Sequence, residues 1–594
     1  MRLLPNNEDA DKFRRISAGS VIELSLIIPA SFEDRRLSAA LVHNAPCVID
    51  ATVERFVRTP KTFKITFFAH NLDEVIEGIV FHPKPYMMHA FIQGSRAFFS
   101  GKAMWEQGRW EIVHPVKVSQ IGALIPVYKT QLRADVMRRL IEKYVTIANL
   151  VDEGLPETVA QEIYALHFPD TPKPMDEKQL YALKFAELYD YMRRLRLKRR
   201  FHPTRYRGRG DVDKWIKTLP FELTDDQQKT IREIRHDLGG PNAARRMIVG
   251  DVGCGKTMVI LASAVLMRPH RTILMAPTTI LAAQLYEEAC KFLPDLKIAL
   301  VTNATKKGPL EGYDFIIGTH ALLHRDLPES GLVMVDEQHR FGTAQRHALT
   351  KLTDNETSPH TLQFSATPIP RTQAMIDSAH IDVSLIQQTP FTKNIATSLI
   401  GKSDFPALLE HIRSEIASDH QVLIVYPLVE QSETIDYQSI DEARGYWEKN
   451  FKNVYVTHGK DREKEAVLLE FREKGSILLA TTVVEVGISL PRLSTVVIVG
   501  AERLGLSTLH QLRGRVSRTG LEGYCYLYSN RTDKNERLEA FRACTSGFDI
   551  AALDLKFRSS GDLLEGSIQS GKKFRWADMG NDEKIVRDVK KRLA

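Results

Sequence analysis

The run GDVGCGKT, from Gly250 to Thr257, has the residue types and spacing of a phosphate-binding loop. This run follows the apolar residues MIV, opens an apolar helical stretch and has the spacing G-x-x-x-x-G-K-[ST]. Backbone N–H groups at such a helix start can hold an anion, and the helix dipole adds to the attraction. Lys256 would neutralise charge on the β- and γ-phosphates, and the Thr257 hydroxyl would ligate Mg²⁺. We therefore predict a nucleoside triphosphate site lined by Gly250, Asp251, Val252, Gly253, Cys254, Gly255, Lys256 and Thr257.

Two carboxylates follow the apolar run LVMV, about 80 residues after this P-loop. Asp336 can hold Mg²⁺ directly or through water, and Glu337 can orient or deprotonate an attacking water. Thr257 and Asp336 are therefore the predicted metal ligands. The next apolar run ends in SAT, where the hydroxyls of Ser365 and Thr367 could bond to the carboxylates and report the state of the nucleotide.

A third chemical feature is the run HQLRGRVSR, from His510 to Arg518. Arg515 and Arg518 are three positions apart, so they share one face if the run is helical. Arginines from a second lobe can stabilise charge on a transferring phosphoryl group. The alternative is a basic surface helix, and the P-loop upstream favours the catalytic interpretation.

The elements that must position these residues are strands and helices in alternation. From about Phe221, buried-strand runs alternate with amphipathic helices, and the pattern resumes after about Ile400. Such alternation predicts doubly wound parallel sheets, here in two consecutive lobes. The first series of runs is MIVG, TILMAP, IALVT, FIIGT and LVMVDE, and the second is VLIVYPL, VYVTHG, ILLATT and TVVIVG.

The N-terminal part has a different pattern. Short strand-like runs between about Val21 and Val127 predict a small β-barrel or sandwich. From about Thr130 to Arg200 the apolar spacing becomes helical, and the last 60 or so residues are helical and loop-rich. The strand-like runs are VIELSLII, LSAALV, FKITFF, EGIVF and RAFFSGKA.

Composition excludes some classes of protein. The 594 residues imply several domains, and no apolar stretch is long enough to span a membrane. The N-terminus lacks the apolar segment of a secretion signal, and five scattered cysteines without a CxxC pair fit a reducing cytoplasm. The net charge of +7 is mild, but the run Arg193–Arg209 is strongly basic and contains Phe201 and Tyr206. That run either neutralises nucleic-acid phosphates or is a solvated helix face.

In order, these motifs resemble superfamily 2 helicases and, more closely, the RecG family of branched-DNA translocases. The resemblance runs from the β-rich region to near the C-terminus and lacks only the initial extension of longer RecG proteins, so it indicates a short N-terminal form. The transcription-repair coupling factor shares several motifs but is much larger. The matching runs are LPFELTDDQ, APTTILAAQ, IGTHALL, DEQHRFG, SATPIPRT, YPLVEQSE, ATTVVEVGISLP and AERLGLSTLHQLRGRVSR.

The resemblance implies further site residues. Phe221 would stack on adenine and Gln227 would bind its edge, while Gln511 would join Arg515 and Arg518 in catalysis. In the run Arg537–Gly571, which resembles the helical hairpin that couples ATP state to movement on duplex DNA, the matching residues are Arg537, Arg558 and Gln569. Other implied contacts to DNA, or links between the nucleotide and DNA, are Thr278, Thr319, His320, Ser365, Thr367 and Thr482, with Phe81 and Tyr86 in the barrel.

This sequence departs from the family pattern at three places. Thr279 stands where the family commonly has Glu, and Ser517 replaces the usual Gly of GRxGR. The loop RSSGDLLEGSIQSG also differs from the usual RGPGE-type loop and is one residue longer. Neither substitution removes a group that contacts phosphate, so we expect activity.

We predict a multidomain α/β protein. Two RecA-like lobes with doubly wound parallel sheets would be preceded by an OB-like β-barrel wedge domain and linker helices, and followed by a helical hairpin. The predicted domains are the wedge at 1–128, the helical linker at 129–206, lobe 1 at 207–393, lobe 2 at 394–530 and the hairpin and tail at 531–594.

The expected function is that of a monomeric ATP-dependent DNA helicase and double-stranded DNA translocase. It would remodel stalled replication forks and branch-migrate Holliday junctions in recombination and DNA repair, using ATP and Mg²⁺. The expected partners are branched DNA and single-stranded DNA-binding protein, with no membrane, in a bacterial cytoplasm and associated with the nucleoid. Two alternatives remain: an RNA helicase or general single-strand unwinder, and an ATP-gated junction-binding scaffold without productive hydrolysis.

Overall fold

Alternating apolar residues build a closed five-stranded barrel in the computed structural model. In Thr62–Ala69, for example, Phe63, Ile65, Phe67 and Ala69 point into the core because side chains alternate between the two faces of a strand. The structure describes residues 7–59, 61–84, 88–119, 121–171, 173–199, 201–306, 308–337, 341, 359–366, 371–391, 394–427, 437–459, 461, 463–481, 490–517, 520–530, 535–565, 574–578 and 581–593.

The barrel has the strand order β2-β3-β4-β6-β5, and β5 pairs with β2 to close it. Its pairs are antiparallel except for β4 with β6, while β1 and β7 form a separate antiparallel pair. The strands are β1 (Ser31–Asp34), β2 (Ala45–Arg58), β3 (Thr62–Ala69), β4 (Glu74–Phe81), β5 (Arg96–Glu106), β6 (Arg109–Val118) and β7 (Leu124–Val127). The prediction of a small barrel is therefore confirmed.

Two of the strand predictions are wrong. VIELSLII begins with a helix, Val21–Ser25, because the Ser20 side chain accepts a hydrogen bond from the backbone N–H of Glu23 and so caps the first turn. The Glu23 carboxylate in turn accepts the backbone N–H of Gly19 at 2.5 Å. LSAALV is irregular and contributes no strand.

The chain divides into two compact units. The first comprises Met1–Tyr191 with Lys573–Ala577, and the second comprises Met192–Lys572 with Asp578–Ala594. In the first unit, the Glu187 carboxylate accepts the backbone N–H groups of Arg575, Trp576 and Ala577, which fixes that short segment to a long helix. The helices that begin in this unit are α1 (Asn7–Arg15), α2 (Val21–Ser25), α3 (Ala134–Tyr144), α4 (Ile147–Asp152), α5 (Glu157–His167) and α6 (Glu177–Leu197).

Lobe 1 of the second unit contains a seven-stranded parallel sheet. Its order, β10-β11-β9-β12-β13-β8-β14, places the P-loop strand β8 beside β13, which in turn lies beside β12. The strands are β8 (Arg245–Gly250), β9 (Thr272–Met275), β10 (Ile298–Val301), β11 (Phe315–Gly318), β12 (Leu332–Asp336), β13 (His360–Ser365) and β14 (Asp382–Ile386). The helices are α7 (Val212–Ile216), α8 (Asp225–Leu238), α9 (Lys256–Met267), α10 (Thr279–Phe292) and α11 (Arg371–Asp377).

Lobe 2 contains a six-stranded parallel sheet in the order β15-β20-β19-β16-β18-β17. The strands are β15 (Ile395–Ile400), β16 (Gln421–Val425), β17 (Val454–Thr457), β18 (Ile477–Ala480), β19 (Leu493–Val499) and β20 (Gly523–Tyr528). Its helices are α12 (Phe405–Ala417), α13 (Ile440–Asn450), α14 (Lys464–Lys474) and α15 (Leu506–Arg513). Strands buried on both faces, such as Gln421–Val425, give the continuous apolar runs seen in the sequence.

The C-terminal part is helical, with α16 (Glu536–Ala543), α17 (Gly547–Glu565) and α18 (Glu583–Leu593). Helix α17 packs against α15, and α18 packs against α11. The predicted architecture of two parallel-sheet lobes, a preceding barrel and a helical end is confirmed. Within the described part of the chain, no helix combines the length and apolar character needed to cross a bilayer.

Part of the basic run Arg193–Arg209 packs against lobe 1. Arg199 pairs with Asp382 at 2.7 Å, Arg205 pairs with Glu329, and Tyr206 is buried while donating its hydroxyl to the same Glu329. These contacts give several of its side chains a packing role.

Candidate active site

Three chemically distinct segments meet at one edge of the lobe 1 sheet. Strand β8 ends at Gly250, β13 ends at Ser365 and β12 ends at Asp336. The three strands are parallel neighbours, with Ser365 beside Val249 and Phe364 beside Asp336. Because the carboxyl ends of parallel strands lie at the same edge, the fold brings together residues far apart in the sequence.

The P-loop needs glycine where its backbone turns. Gly253 and Gly255 have φ values of +75° and +76°, a region that disfavours residues with a Cβ. Gly255 is the N-cap of α9, whose first residue is Lys256 and second is Thr257. The Lys256 ammonium lies across the loop, donating hydrogen bonds to the carbonyl oxygens of Gly250 at 3.0 Å and Asp251 at 3.2 Å. Backbone N–H groups at the start of this buried helix can bind an anion.

Gln227 braces the P-loop from α8. Its amide donates to the carbonyl oxygens of Cys254 at 2.9 Å and Gly255 at 3.4 Å. Its Oε1 atom accepts the backbone N–H of Thr224, completing the capping box that starts α8. The side chain is buried. Among the described residues, Thr224 is the one donor to Oε1, which leaves a second acceptor lone pair for a ligand.

Phe221 lies before α8 and presents an exposed ring, 44% accessible. Its ring is nearly perpendicular to that of Phe292, with 5.9 Å between the centroids. An exposed ring fixed on one side can stack on a planar group on the other.

Asp336 and Glu337 are both buried at the sheet edge. Among the described residues, Asp336 Oδ1 has no hydrogen-bond partner. Burial, and then the neighbouring Glu337 carboxylate, raise the pKa of Asp336, while the Lys256 ammonium acts in the opposite direction. A buried carboxylate oxygen that lacks a partner and faces a phosphate site fits a divalent cation, for which it is a preferred ligand.

Glu337 links this carboxylate pair to the next strand. Its backbone has a φ of +50°, its N–H donates to the carbonyl oxygen of Phe364 at 2.8 Å, and its Oε1 accepts the N–H of Ala366 at 2.6 Å. The carboxylates therefore contact the SAT segment through the backbone N–H of Ala366, and the bonds expected from the Ser365 and Thr367 hydroxyls stay a prediction.

Lobe 2 contributes the end of α15 to the same site. Gly514 packs against Val252 of the P-loop, so closely that an added Cβ would lie 2.8 Å from Val252 Cγ1. Gln511 and Arg515 are buried in this region, as are His510 and Arg513. The structure therefore brings Gln511 and Arg515 toward lobe 1, while Arg518 lies outside the described residues.

Three residues without a predicted role also lie here: His510, Arg513 and Gly547. His510 Nε2 lies 2.5 Å from Asp251 Oδ1, and the backbone N–H of Gly547 donates to Asp251 Oδ2 at 2.8 Å. The available signal was the placement of His510 and Arg513 within the same run as Arg515. Nothing local in the sequence indicates the partner of Gly547.

Comparisons with known proteins cover both the lobes and the barrel. Residues 224–376 match the family model described as DEAD/DEAH box helicase, and residues 404–520 match the helicase conserved C-terminal domain. The chain is 42% identical to the ATP-dependent DNA helicase RecG of Helicobacter pylori strain J99, over 98% of this chain and 97% of that protein. This chain belongs to the RecG family. It is an ATP-hydrolysing DNA helicase of superfamily 2.

Two further comparisons agree. RecG of Streptococcus pneumoniae serotype 4 is 32% identical over 98% of this chain and 93% of that protein. A solved structure of RecG bound to a three-way DNA junction is 28% identical, with a TM-score of 0.55, covering 98% of this chain and 84% of that one. The resemblance inferred from the motifs is thus confirmed across the RecG barrel and motor.

Two of the predicted DNA-contacting residues, Thr278 and Thr319, cap helices in this structure. The Thr278 hydroxyl accepts the backbone N–H of Leu281 at the start of α10, and the buried Thr319 accepts that of Ala321 at a 3-10 turn. His320 is half-buried in that turn, and Ser365 is half-buried at the end of β13. Thr367 and Thr482 lie outside the described residues.

The RecG-like hairpin is anchored by Arg537. Its guanidinium donates to the carbonyl oxygens of Leu504 at 2.9 Å and Glu502 at 2.5 Å, which ties α16 to lobe 2. Arg558 lies on α17, with only its backbone described, and Gln569 lies outside the described residues.

Of the two aromatic residues predicted to form the wedge, Phe81 is described by the structure and Tyr86 is not. Phe81 ends β4, is 46% exposed and has its ring 5.8 Å from that of His114. Phe91 of the same region belongs to the barrel core, where it stacks on Phe99. Tyr86 lies outside the described residues.

Proposed function

We propose that this RecG-family helicase remodels branched DNA, acting on stalled replication forks and Holliday junctions in recombination and repair. The observation that carries the proposal is the match over 98% of the chain to a RecG that was solved on a three-way DNA junction. That match includes the barrel, which a motor for linear DNA does not need. The motor would pull duplex DNA while the barrel sterically separates the strands.

Lobe 1 would bind the triphosphate and activate water. Lys256 would leave the Gly250 and Asp251 carbonyl oxygens to neutralise the β- and γ-phosphates. Bound Mg²⁺ would supply further charge neutralisation, and Thr257 with Asp336 would hold it. Glu337 would take the proton of the attacking water, so that ATP and water yield ADP and phosphate.

Lobe 2 would complete the catalytic group. Arg515 follows the C-cap of α15, directly after Gly514, the glycine that packs on Val252. Its guanidinium would stabilise charge that develops on the transferring phosphoryl group, because a preorganised cation is most effective in a water-poor site. Gln511 and Arg518 would act with it.

The base would be held at the opposite end of the nucleotide. The exposed ring of Phe221 would stack on adenine. Gln227 would accept a hydrogen bond from the adenine amino group through the remaining lone pair of Oε1. Its amide nitrogen would at the same time keep its hydrogen bond to the P-loop. Recognition of the base and shaping of the phosphate loop would then depend on the same side chain.

A second set of residues would contact DNA or link it to the nucleotide. On the two lobes these are Thr278, Thr319, His320, Ser365, Thr367 and Thr482. Arg537, Arg558 and Gln569 would transmit movement through the hairpin, and Phe81 with Tyr86 would cap unstacked bases at the junction. We further propose that the protein works as a monomer at the nucleoid of a bacterial cytoplasm, with single-stranded DNA-binding protein as a partner.

The test compares wild-type protein with Lys256→Ala on a fluorescently labelled four-way junction, with ATP and Mg²⁺. We expect wild type to separate the arms, and Lys256→Ala to bind the junction with an affinity within about threefold of wild type but to turn over ATP at least about 100-fold more slowly. Lys229→Ala, an exposed lysine on α8 of the same lobe, is the matched control.

Two results would contradict the proposal. Junction remodelling by Lys256→Ala at the wild-type rate would refute the P-loop assignment. Junction binding by wild type without ATP-dependent remodelling would instead support an ATP-gated scaffold.

A further inference from the structure

Asp251, the second residue of the P-loop, contacts chain segments that lie far away in the sequence. Its Oδ1 atom accepts the backbone N–H of Val252 at 2.6 Å and faces His510 Nε2 of α15 at 2.5 Å. Its Oδ2 atom accepts the backbone N–H of Gly547, the first residue of α17, at 2.8 Å. The side chains of Asp251 and His510 are only 13% and 6% exposed. One carboxylate therefore joins the nucleotide loop to lobe 2 and to the post-motor hairpin, which is the RecG-like hairpin formed by α16 and α17.

The contact with His510 has a defined direction. The guanidinium of Arg513 lies 3.2 Å from His510 Nδ1, and arginine can only donate. Nδ1 must therefore accept, which places the ring hydrogen on Nε2, where it is donated to Asp251. Arg513 also donates to the carbonyl oxygen of Phe541 in α16 and lies over its ring at 4.3 Å. The chain of contacts from the P-loop thus reaches both helices of the hairpin.

Gly547 is required by space. A Cβ at this position would lie 2.5 Å from Asp251 Oδ1 and 2.7 Å from His510 Nε2. Both distances are far below van der Waals contact, and both atoms belong to the buried pair. A side chain at 547 would therefore push α17 away from the P-loop.

We propose that Asp251 is a positioning residue that couples the P-loop directly to the post-motor hairpin. A carboxylate in a phosphate loop repels the triphosphate, so its value lies in the contacts that it makes away from the nucleotide. Although burial acts in the opposite direction, the hydrogen bond from His510 and the two backbone N–H groups lower the pKa of Asp251, which keeps it ionised. The inference rests on the proposed function only in requiring an ATP-driven motor.

The length of α17 lets a small shift at the P-loop produce a larger movement at the far end of the hairpin. Helix α17 has 19 residues, which corresponds to roughly 28 Å of length at 1.5 Å per residue. A shift of the P-loop on phosphate binding is passed through Asp251 to the first turn of this helix, and its far end moves further. Opening between the lobes breaks the contacts with His510 and Gly547 together.

Two variants separate this role from phosphate binding. Gly547→Ala adds a methyl group against Asp251 and His510 and leaves the P-loop sequence intact. Asp251→Asn keeps an oxygen for Val252 and His510 but turns an NH₂ group toward the N–H of Gly547, so that two donors face each other. Gly445→Ala in α13 is the control, because an added methyl meets no atom of the described residues within 4 Å.

The first readout uses no nucleotide. By hydrogen–deuterium exchange, we expect the first turn of α17 to exchange about tenfold faster in Asp251→Asn and in Gly547→Ala than in wild type. Gly445→Ala should match wild type over that segment. Unchanged exchange in both variants would overturn the proposal.

The second readout is a double-mutant cycle on junction-stimulated ATP hydrolysis. Each single variant is expected to lower kcat about tenfold with KM for ATP within about threefold, and the double variant should be no slower than either single one. If the two effects multiply, or if Gly547→Ala keeps the wild-type kcat, Asp251 does not act through Gly547. A wild-type protein that no junction stimulates would instead contradict the proposed function, so the two failures are distinguishable.

Discussion

Glu337 Oε1 accepts a hydrogen bond from the backbone N–H of Ala366 at 2.6 Å. This contact joins the carboxylate that follows β12 to the segment that follows β13, across neighbouring parallel strands. The Glu337 backbone is held at a positive φ, which costs of order 1–3 kcal/mol for a residue other than glycine. Such strain at a buried carboxylate fits a residue whose position matters for its chemistry.

We expect Glu337→Gln to separate that contact from catalysis. The amide oxygen can still accept from Ala366, but it cannot take a proton, so kcat should fall about 10²–10⁴-fold while nucleotide affinity stays within about threefold. Steady-state ATPase assays with junction DNA and titration with a fluorescent ATP analogue measure the two quantities. Glu337→Ala, which also loses the acceptor, is the comparison. A Glu337→Gln enzyme with near wild-type kcat would exclude Glu337 as the base.

Asp336→Asn should stabilise the nucleotide-free protein at neutral and alkaline pH. Burial and Glu337 raise the pKa of Asp336, so folding takes up a proton between the ordinary carboxyl value and the raised one. The free energy of unfolding of wild type therefore falls as pH rises through that interval. A neutral amide avoids this loss, so the free energy of unfolding of Asp336→Asn should be higher than that of wild type by about 1–3 kcal/mol.

Thermal unfolding in chelator from pH 4 to pH 8 checks this sign. The melting temperature of Asp336→Asn should exceed that of wild type by a few °C at pH 8, and the difference should shrink toward pH 4. Junction-stimulated ATP hydrolysis should be lost. A difference that grows as pH falls would contradict the account.

The sequence was sufficient to predict an ATP-hydrolysing motor because the motifs that indicate it are local. The spacing from Gly250 to Thr257 and the strand ending at Asp336 each require only their own neighbourhood. The alternation of buried strands and helices likewise predicted two parallel sheets. Contacts between segments could not be predicted, since Asp251 and His510 are 259 positions apart.

Errors in the N-terminal region also have a local cause. The apolar residues of Val21–Ser25 fit a short buried strand as well as a buried helix, and the side-chain cap at Ser20 decides for the helix. Gln227 illustrates another limit. Its bonds to the carbonyl oxygens of Cys254 and Gly255 bridge 27 and 28 positions and depend on how the P-loop folds.

The substitution at Ser517 has a structural consequence. Its φ is +61°, a region in which glycine is unstrained, and its buried Oγ has no hydrogen-bond partner among the described residues. We expect Ser517→Gly to increase the free energy of unfolding by about 1–2 kcal/mol, measured by chemical denaturation. Ser517→Ala removes only the hydroxyl and should gain less. A destabilised Ser517→Gly would show that the serine is needed.

Phe81→Ala should weaken junction recognition while leaving the motor intact. Loss of one base-stacking ring is worth about 1–3 kcal/mol, so affinity for a fork should fall roughly 5- to 150-fold. Trp105→Ala is a matched control, because Trp105 is an aromatic residue of the same barrel with a similar exposed fraction, 47%. Its ring contacts Trp110 near the start of β6, whereas the ring of Phe81 contacts His114 further along that strand. Fluorescence anisotropy with a fork measures both. Equal losses in the two variants would argue against a specific role for Phe81.

Specificity for branched DNA is tested by the stimulation of ATP hydrolysis with different nucleic acids. Wild-type protein is assayed with a fork, a four-way junction, linear duplex, single-stranded DNA and single-stranded RNA at equal nucleotide concentration. We predict that the branched DNAs raise kcat by about tenfold or more and exceed every unbranched substrate. Stimulation by RNA or by linear single strands alone would contradict it.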